Sequence, residues 1–139
     1  MDGKAPKIIM VVDDDSHHRH NIESTLVRVK GPPEFRIMCA QNADVALYLI
    51  DSGHVPVGLV INVEMPGMNG IDLAREIAKR KIVVRVIFTR DNEDCNLSRR
   101  DLLTFSSDII HKPFGQIEFE RLAMRVFGED DSLANAVSA

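Results

Sequence analysis

VINVEMPGMNG, residues Val60 to Gly70, is the stretch whose reading decides the fold. It closes a short apolar run, Pro56–Ile61 (PVGLVI), of the length and β-branched character expected of a strand buried on both faces. Pro66 and Gly67 then break the backbone, and Asn69 stands as the cap of an amphipathic run, GIDLAREIAKR. A strand delivered through a tight loop into a helix is a βα unit. Asn62 falls just past the strand, where a carboxylate would be at home beside two other acids of the chain.

Outward from this unit the same pattern repeats. Upstream, β1 is predicted over Lys7–Val12 (KIIMVV) and α1 over Ser16–Lys30, with Ile22, Leu26 and Val29 on its apolar face and GPPE ending it. β2 is predicted over Phe35–Ala40, and α2 runs between the cap Asn42 and the stop Gly53 with Val45, Ala46, Leu49 and Ile50 inward. β3 is Pro56–Ile61, and α3 is Gly70–Arg80 with Ile71, Ala74, Ile77 and Ala78 on one side. β4 is predicted over Ile82–Phe88, and a weaker, polar α4 over Asn92–Phe105. SDIIH (Ser107–His111) reads as a short β5, and Gly115–Phe127 as α5 with Ile117, Leu122, Met124, Val126 and Phe127 as apolar candidates. Five successive βα units predict an α/β fold, a doubly wound parallel sheet with helices on both faces.

Bulk properties are consistent with this. A chain of 139 residues suits one domain with a real core. The net charge of −4 gives no support for direct nucleic-acid binding. No apolar run approaches the ~20 residues needed to span a bilayer, and the N-terminus lacks a signal-peptide core, so the expected location is cytoplasmic. Cys39 and Cys95, far apart and without metal-type spacing, read as reduced thiols. The domain is expected over 1–127, with 128–139 (GEDDSLANAVSA) a flexible tail or linker stub; the protein would be a stand-alone domain or one cut from a longer chain.

Ligands of such sheets bind beyond the carboxyl ends of the strands. The informative residues are therefore Asp13–Asp15, Asn62–Glu64, Thr89–Arg90 and His111–Lys112. Asp13 and Asp14 supply hard oxygen ligands of the kind Mg²⁺ prefers. Thr89 offers a hydroxyl, and Lys112 a compact cation suited to a phosphoryl oxygen.

VVDDDS, INVEMPGMNG, FT and KPF together resemble the receiver domain of two-component response regulators, in order and over roughly Lys7 to Phe127. The resemblance implies a (βα)₅ flavodoxin-like fold of strand order 2-1-3-4-5. It implies Asp13 and Asp14 as the acid pair holding Mg²⁺, with the backbone carbonyl of Glu64 as a third metal ligand. Thr89 would be the switch hydroxyl, Lys112 the phosphoryl-pairing lysine, and the Lys112–Pro113 peptide cis. Implied partners are a histidine kinase or histidine phosphotransfer protein, contacted by α1, and a downstream protein reached through α4–β5–α5. The protein would be a monomer or weak dimer, and not an enzyme.

Two residues depart from the family pattern. Asn62 stands at the phosphoacceptor position, where an amide has no anionic oxygen to attack phosphorus; Mg²⁺ binding is expected to weaken with it. Ile109 replaces the usual aromatic, which puts the threonine–aromatic relay in doubt. Two readings stay open: a receiver made non-phosphorylatable by an Asp-to-Asn substitution, or a natural pseudo-receiver acting as a phosphorylation-independent interaction module.

Other features have plainer readings. His17, His18 and His20 fit a solvated helix face better than a metal site, since none has a histidine partner four residues on. His111 reads as an edge or packing residue, and Arg99–Asp101 as solvent-facing. Asp13 and Asp15 have the two-residue spacing of a haloacid-dehalogenase-type hydrolase, but five tight units leave no length for its cap region.

Overall fold

A computed structural model describes residues 6–30, 34–91 and 107–128. Predicted α4, Cys95, Arg99–Asp101 and the tail from 129 onward lie outside the described residues. The described elements are β1 (Lys7–Val12), α1 (Ser16–Lys30), β2 (Phe35–Ala40), α2 (Ala43–Asp51), β3 (Pro56–Asn62), α3 (Gly70–Lys79), β4 (Arg85–Arg90), β5 (Ser107–His111) and α5 (Gln116–Phe127). The strands form one sheet in the order β2-β1-β3-β4-β5, every pair parallel. This is the doubly wound five-stranded arrangement that the alternating pattern and the resemblance imply.

Continuous apolar strands feed two cores because successive side chains point to opposite faces. Met10, Val12, Leu59, Ile61, Val86 and Phe88 join Ala46, Ile71 and Ile77 of α2 and α3 on one face. Ile9, Val11, Val60, Ile87 and Ile110 join Ile22 and Leu26 of α1 and Phe119, Leu122 and Phe127 of α5 on the other. Burial, then Glu23, pushes the half-buried Cys39 thiol up to about 12, which keeps it protonated.

Both predicted caps form: the side chain of Asn42 accepts from Val45 N at 2.9 Å and that of Asn69 from Asp72 N at 2.9 Å. Asp15 caps α1, accepting from His18 N at 3.0 Å, and that N–H is the first cause holding its carboxyl below the usual carboxylate range.

Four expectations need correction. β4 starts at Arg85 rather than Ile82, and runs on to Arg90. Lys81 leaves α3 in the left-handed region, with φ of 59°, and pairing with β3 begins only at Gly58↔Arg85. Ile82 and Val84 pack on the core as they approach the sheet, while Val83 is 94% exposed. In α5, Ile117 and Met124 face solvent, at 65% and 54% exposure, and Phe119 and Ala123 take the inward positions. In α3, Ala78 is exposed and Leu73 is buried. β3 also runs one residue further than predicted, through Asn62.

Candidate functional site

Parallel pairing brings the carboxyl ends of β1, β3, β4 and β5 to one edge of the sheet. Val12 pairs with Ile61, Asn62 with Thr89, and Arg90 with His111. Asp13 and Lys112 follow directly after the first and last strands, so residues 99 apart in sequence meet at one site.

Asp13 is buried and fully engaged. Its Oδ2 accepts from Lys112 Nζ at 3.0 Å, and its Oδ1 accepts from the Asp15 backbone N–H at 2.9 Å. Arg19 donates to its carbonyl oxygen at 2.8 Å. The side chain of Lys112 is 7% exposed and that of Asp13 1%. A buried carboxylate of this kind needs a paired cation and further donors to offset desolvation. Lys112 also lies 3.7 Å from Asp91 Oδ1 and 3.1 Å from His18 Nδ1.

Asn62 ends β3 with its side chain among the acids. Its Nδ2 donates to Glu64 O at 2.9 Å, to Asp14 Oδ1 at 3.2 Å and, at the long limit, to Asp13 Oδ1 at 3.5 Å. Its Oδ1 is buried without a hydrogen-bond partner, as are Thr89 Oγ1 and Glu64 Oε2. The other Glu64 oxygen, Oε1, accepts from Asp91 N at 2.9 Å.

Of the strand-end residues singled out from the sequence, Asp13, Asp14, Asn62, Glu64, Thr89 and Lys112 gather at this edge. Asp15 does not join them, because its carboxylate caps α1; this removes the hydrolase-type pairing with Asp13. His111 is exposed. Ile109 sits on β5 opposite Phe88 and is half-exposed, without a ring. The Lys112–Pro113 peptide is cis.

The solvated-face reading of the histidines misses His18. It is half-buried and its ring reaches Lys112. The available signal was its place four residues after Asp14, in the first turn of α1. A groove of about 520 Å³ opens beside it, lined by His17, His18, Asn21, Thr25, Pro113 and Phe114 among others. Phe114 stacks on Phe119 at 5.3 Å, which fixes the far wall.

Chemically, the site combines an oxygen-rich corner with a cation and a buried hydroxyl. Lys112 and Thr89 can hold a small oxyanion. Asp13, Asp14 and the Glu64 carbonyl are hard oxygens of the kind that bind Mg²⁺. Their fit to such an ion is incomplete in this chain: the fourth group of the corner, Asn62, turns an N–H donor onto those oxygens, and an amide NH₂ cannot coordinate a cation. Among the described residues, no three His, Cys, Asp or Glu side chains form a group that could hold a metal ion.

Comparison with known proteins agrees with the fold. Over 108 residues, 77% of this chain, it is 31% identical to the response regulator protein TmoT of Ectopseudomonas mendocina, covering 46% of that protein. Over 120 residues, 85% of this chain, it is 28% identical to the two-component response regulator PhoP of Pseudomonas aeruginosa, covering 49% of it. The chain spans about half, or less, of the length of the curated relatives it matches. A CheY-like response regulator receiver domain protein from Methanospirillum hungatei superposes with a TM-score of 0.68 at 23% identity, over 86% of this chain and 94% of that one. The chemotaxis protein CheY4 of Vibrio cholerae does so with a TM-score of 0.74 at 16% identity, over 88% and 99%; at these identities the likeness is one of fold. The family model described as response regulator receiver domain matches residues 9–124, and the chain belongs to that family.

Proposed function

We propose that this receiver domain carries Asn62 at its phosphoacceptor position, and that it is fixed in the unphosphorylated form. The observation that carries the reading is the place of the Asn62 side chain, between Asp13, Asp14 and the Glu64 carbonyl and at the register partner of Thr89. An aspartate there would direct a carboxylate oxygen into the corner shared with Lys112 and Thr89. That oxygen would attack phosphorus, the bond from phosphorus to the donor's nitrogen or oxygen would break, and the donor would leave with the electron pair. Lys112 would neutralise the new phosphoryl oxygens, and the Thr89 hydroxyl would donate to one of them. The amide of Asn62 cannot begin this sequence: its nitrogen lone pair is delocalised into the carbonyl, and its N–H groups are bound to oxygens.

The natural partners on this reading are a histidine kinase or phosphotransfer protein on one side and a downstream protein on the other. The groove between α1 and the Pro113–Phe114 turn adjoins Lys112, and so offers a seat for the histidine-bearing donor. With phosphate excluded, the domain acts through contacts it makes constitutively. Magnesium is the cation the parent site would use.

Intact mass measured after incubation with acetyl phosphate and Mg²⁺ tests this. This chain is expected to stay at its own mass, while Asn62→Asp gains one phosphoryl group. If neither form gains mass, the remainder of the site has lost phosphotransfer competence and the chain is a pseudo-receiver that works by binding alone. A phosphoryl group on the unsubstituted chain overturns the reading.

A further inference from the structure

The Asn62 amide does more than remove a nucleophile. Its Nδ2 reaches the Glu64 carbonyl, Asp14 Oδ1 and, more distantly, Asp13 Oδ1. These are the oxygens that the cation reading assigns to a divalent ion. Its own oxygen, Oδ1, faces away from them and is buried without a hydrogen-bond partner. The choice of which amide atom faces the oxygens is dictated by chemistry: the reverse orientation would set three oxygen acceptors against a fourth with no hydrogen between them.

We infer that the Asn62 carboxamide nitrogen is a built-in stand-in for the divalent cation, so that the acid corner is satisfied without metal and excludes it. The partial positive charge of the NH₂ group does at Asp14 and Glu64 what an ion would otherwise do. Lys112 completes the neutralisation at Asp13 Oδ2. Metal entry then requires breaking the amide's hydrogen bonds and turning the side chain over. This rests on the reading of Asp13, Asp14 and the Glu64 carbonyl as a cation site. It goes beyond a simple loss of ligand charge, because it predicts the opposite result for one substitution.

If Asn62 were only a poor ligand, Asn62→Ala would bind a divalent ion no better than this chain, since it removes the side-chain oxygen as well. If the amide competes with the ion, Asn62→Ala frees the Asp14 and Glu64 oxygens and binds more tightly. The experiment is a titration of the full chain, Asn62→Ala and Asn62→Asp with Mg²⁺ alone, and separately with Mn²⁺ alone. It is read by calorimetry and by the ¹H–¹⁵N side-chain amide signal of Asn62, identified by its disappearance in Asn62→Ala. The full chain is expected to leave that signal unmoved in millimolar Mg²⁺. Asn62→Ala is expected to bind at least about tenfold more tightly than the full chain, the equivalent of one or two lost competing hydrogen bonds. Asn62→Asp is expected to bind more tightly still. If Asn62→Asp binds but Asn62→Ala binds no better than the full chain, the stand-in is overturned while the cation site survives. If neither variant binds, the cation site and the stand-in fall together.

Discussion

At the scale of single residues, Gly70 shows how closely the site is built. It opens α3 against the end of β3, donating to Val63 O at 2.9 Å. A Cβ there would collide with the backbone oxygen of Asn62 and come within 2.8 Å of Ile61 Cγ2. Gly70→Ala is therefore expected to destabilise by about 1–3 kcal/mol and to shift the Asn62 amide signal, measured by urea unfolding and by ¹H–¹⁵N spectra. Lys112 makes a second test. Its removal leaves a buried carboxylate uncompensated, so Lys112→Ala is expected to cost about 3 kcal/mol. In an Asp13→Asn background the same change should cost much less, because no charge is then stranded. Equal costs in a double-mutant cycle would show that the pair is not coupled. The residues of this cluster were legible because each lies at or just beyond the carboxyl end of a strand. His18 was not: its role depends on where a helical side chain points in space, and the adjacency of three histidines in sequence drew attention to metal spacing instead.

Helices and strands were read best where punctuation was strong. Asn42 and Asn69 announce their helices because a side-chain carbonyl satisfies an otherwise orphan backbone N–H. Asn42→Ala should cost about 1 kcal/mol in thermal or urea unfolding. β4 was placed three residues early, since Ile82, Val83 and Val84 carry strand-like side chains. What decides the strand is a hydrogen-bonding partner, and β3 offers none before Gly58. α5 was harder because its apolar residues occupy more than one face. The link between α2 and α3 gives a pH test. Arg80 Nε and Nη2 donate to Asp51 at 2.8 and 3.0 Å, and this hydrogen bonding is the first cause holding the Asp51 carboxyl below its ordinary value. The folded value lies below the unfolded one, which is about 3.9. The pair thus contributes at neutral pH, and its contribution is lost as pH falls below about 4 through the lowered folded value. Asp51→Asn should give a shallower decline of Tm with acidification over that window; an unchanged slope would mean the pair contributes nothing.

For the molecule as a whole, the sheet order sets where stability resides. β1, β3 and β4 are each paired on both sides, with β3 at the centre, while β2 and β5 are edges. Amide exchange should be slowest at Val11, Val12, Val60 and Ile61 and faster along β2 and β5. Uniform protection across the sheet would argue against this gradient. The doubly wound class was legible because buried parallel strands read as unbroken apolar runs. The strand order was not carried by periodicity, which says that a strand exists but not beside which neighbour it lies; the motif resemblance supplied that order.

The long separation between the members of the acid corner also bears on how the chain is made. A ribosome releases Asp13 first, Asn62 49 residues later and Lys112 99 residues later. Without an internal donor, the two acids at the tip of β1 would wait for the last strand before meeting any counter-group from across the sheet. The amide at the end of β3 meets them well before Lys112 is made. The first three strands of the sheet can thus close around their own polar groups while the remainder of the protein is still being translated.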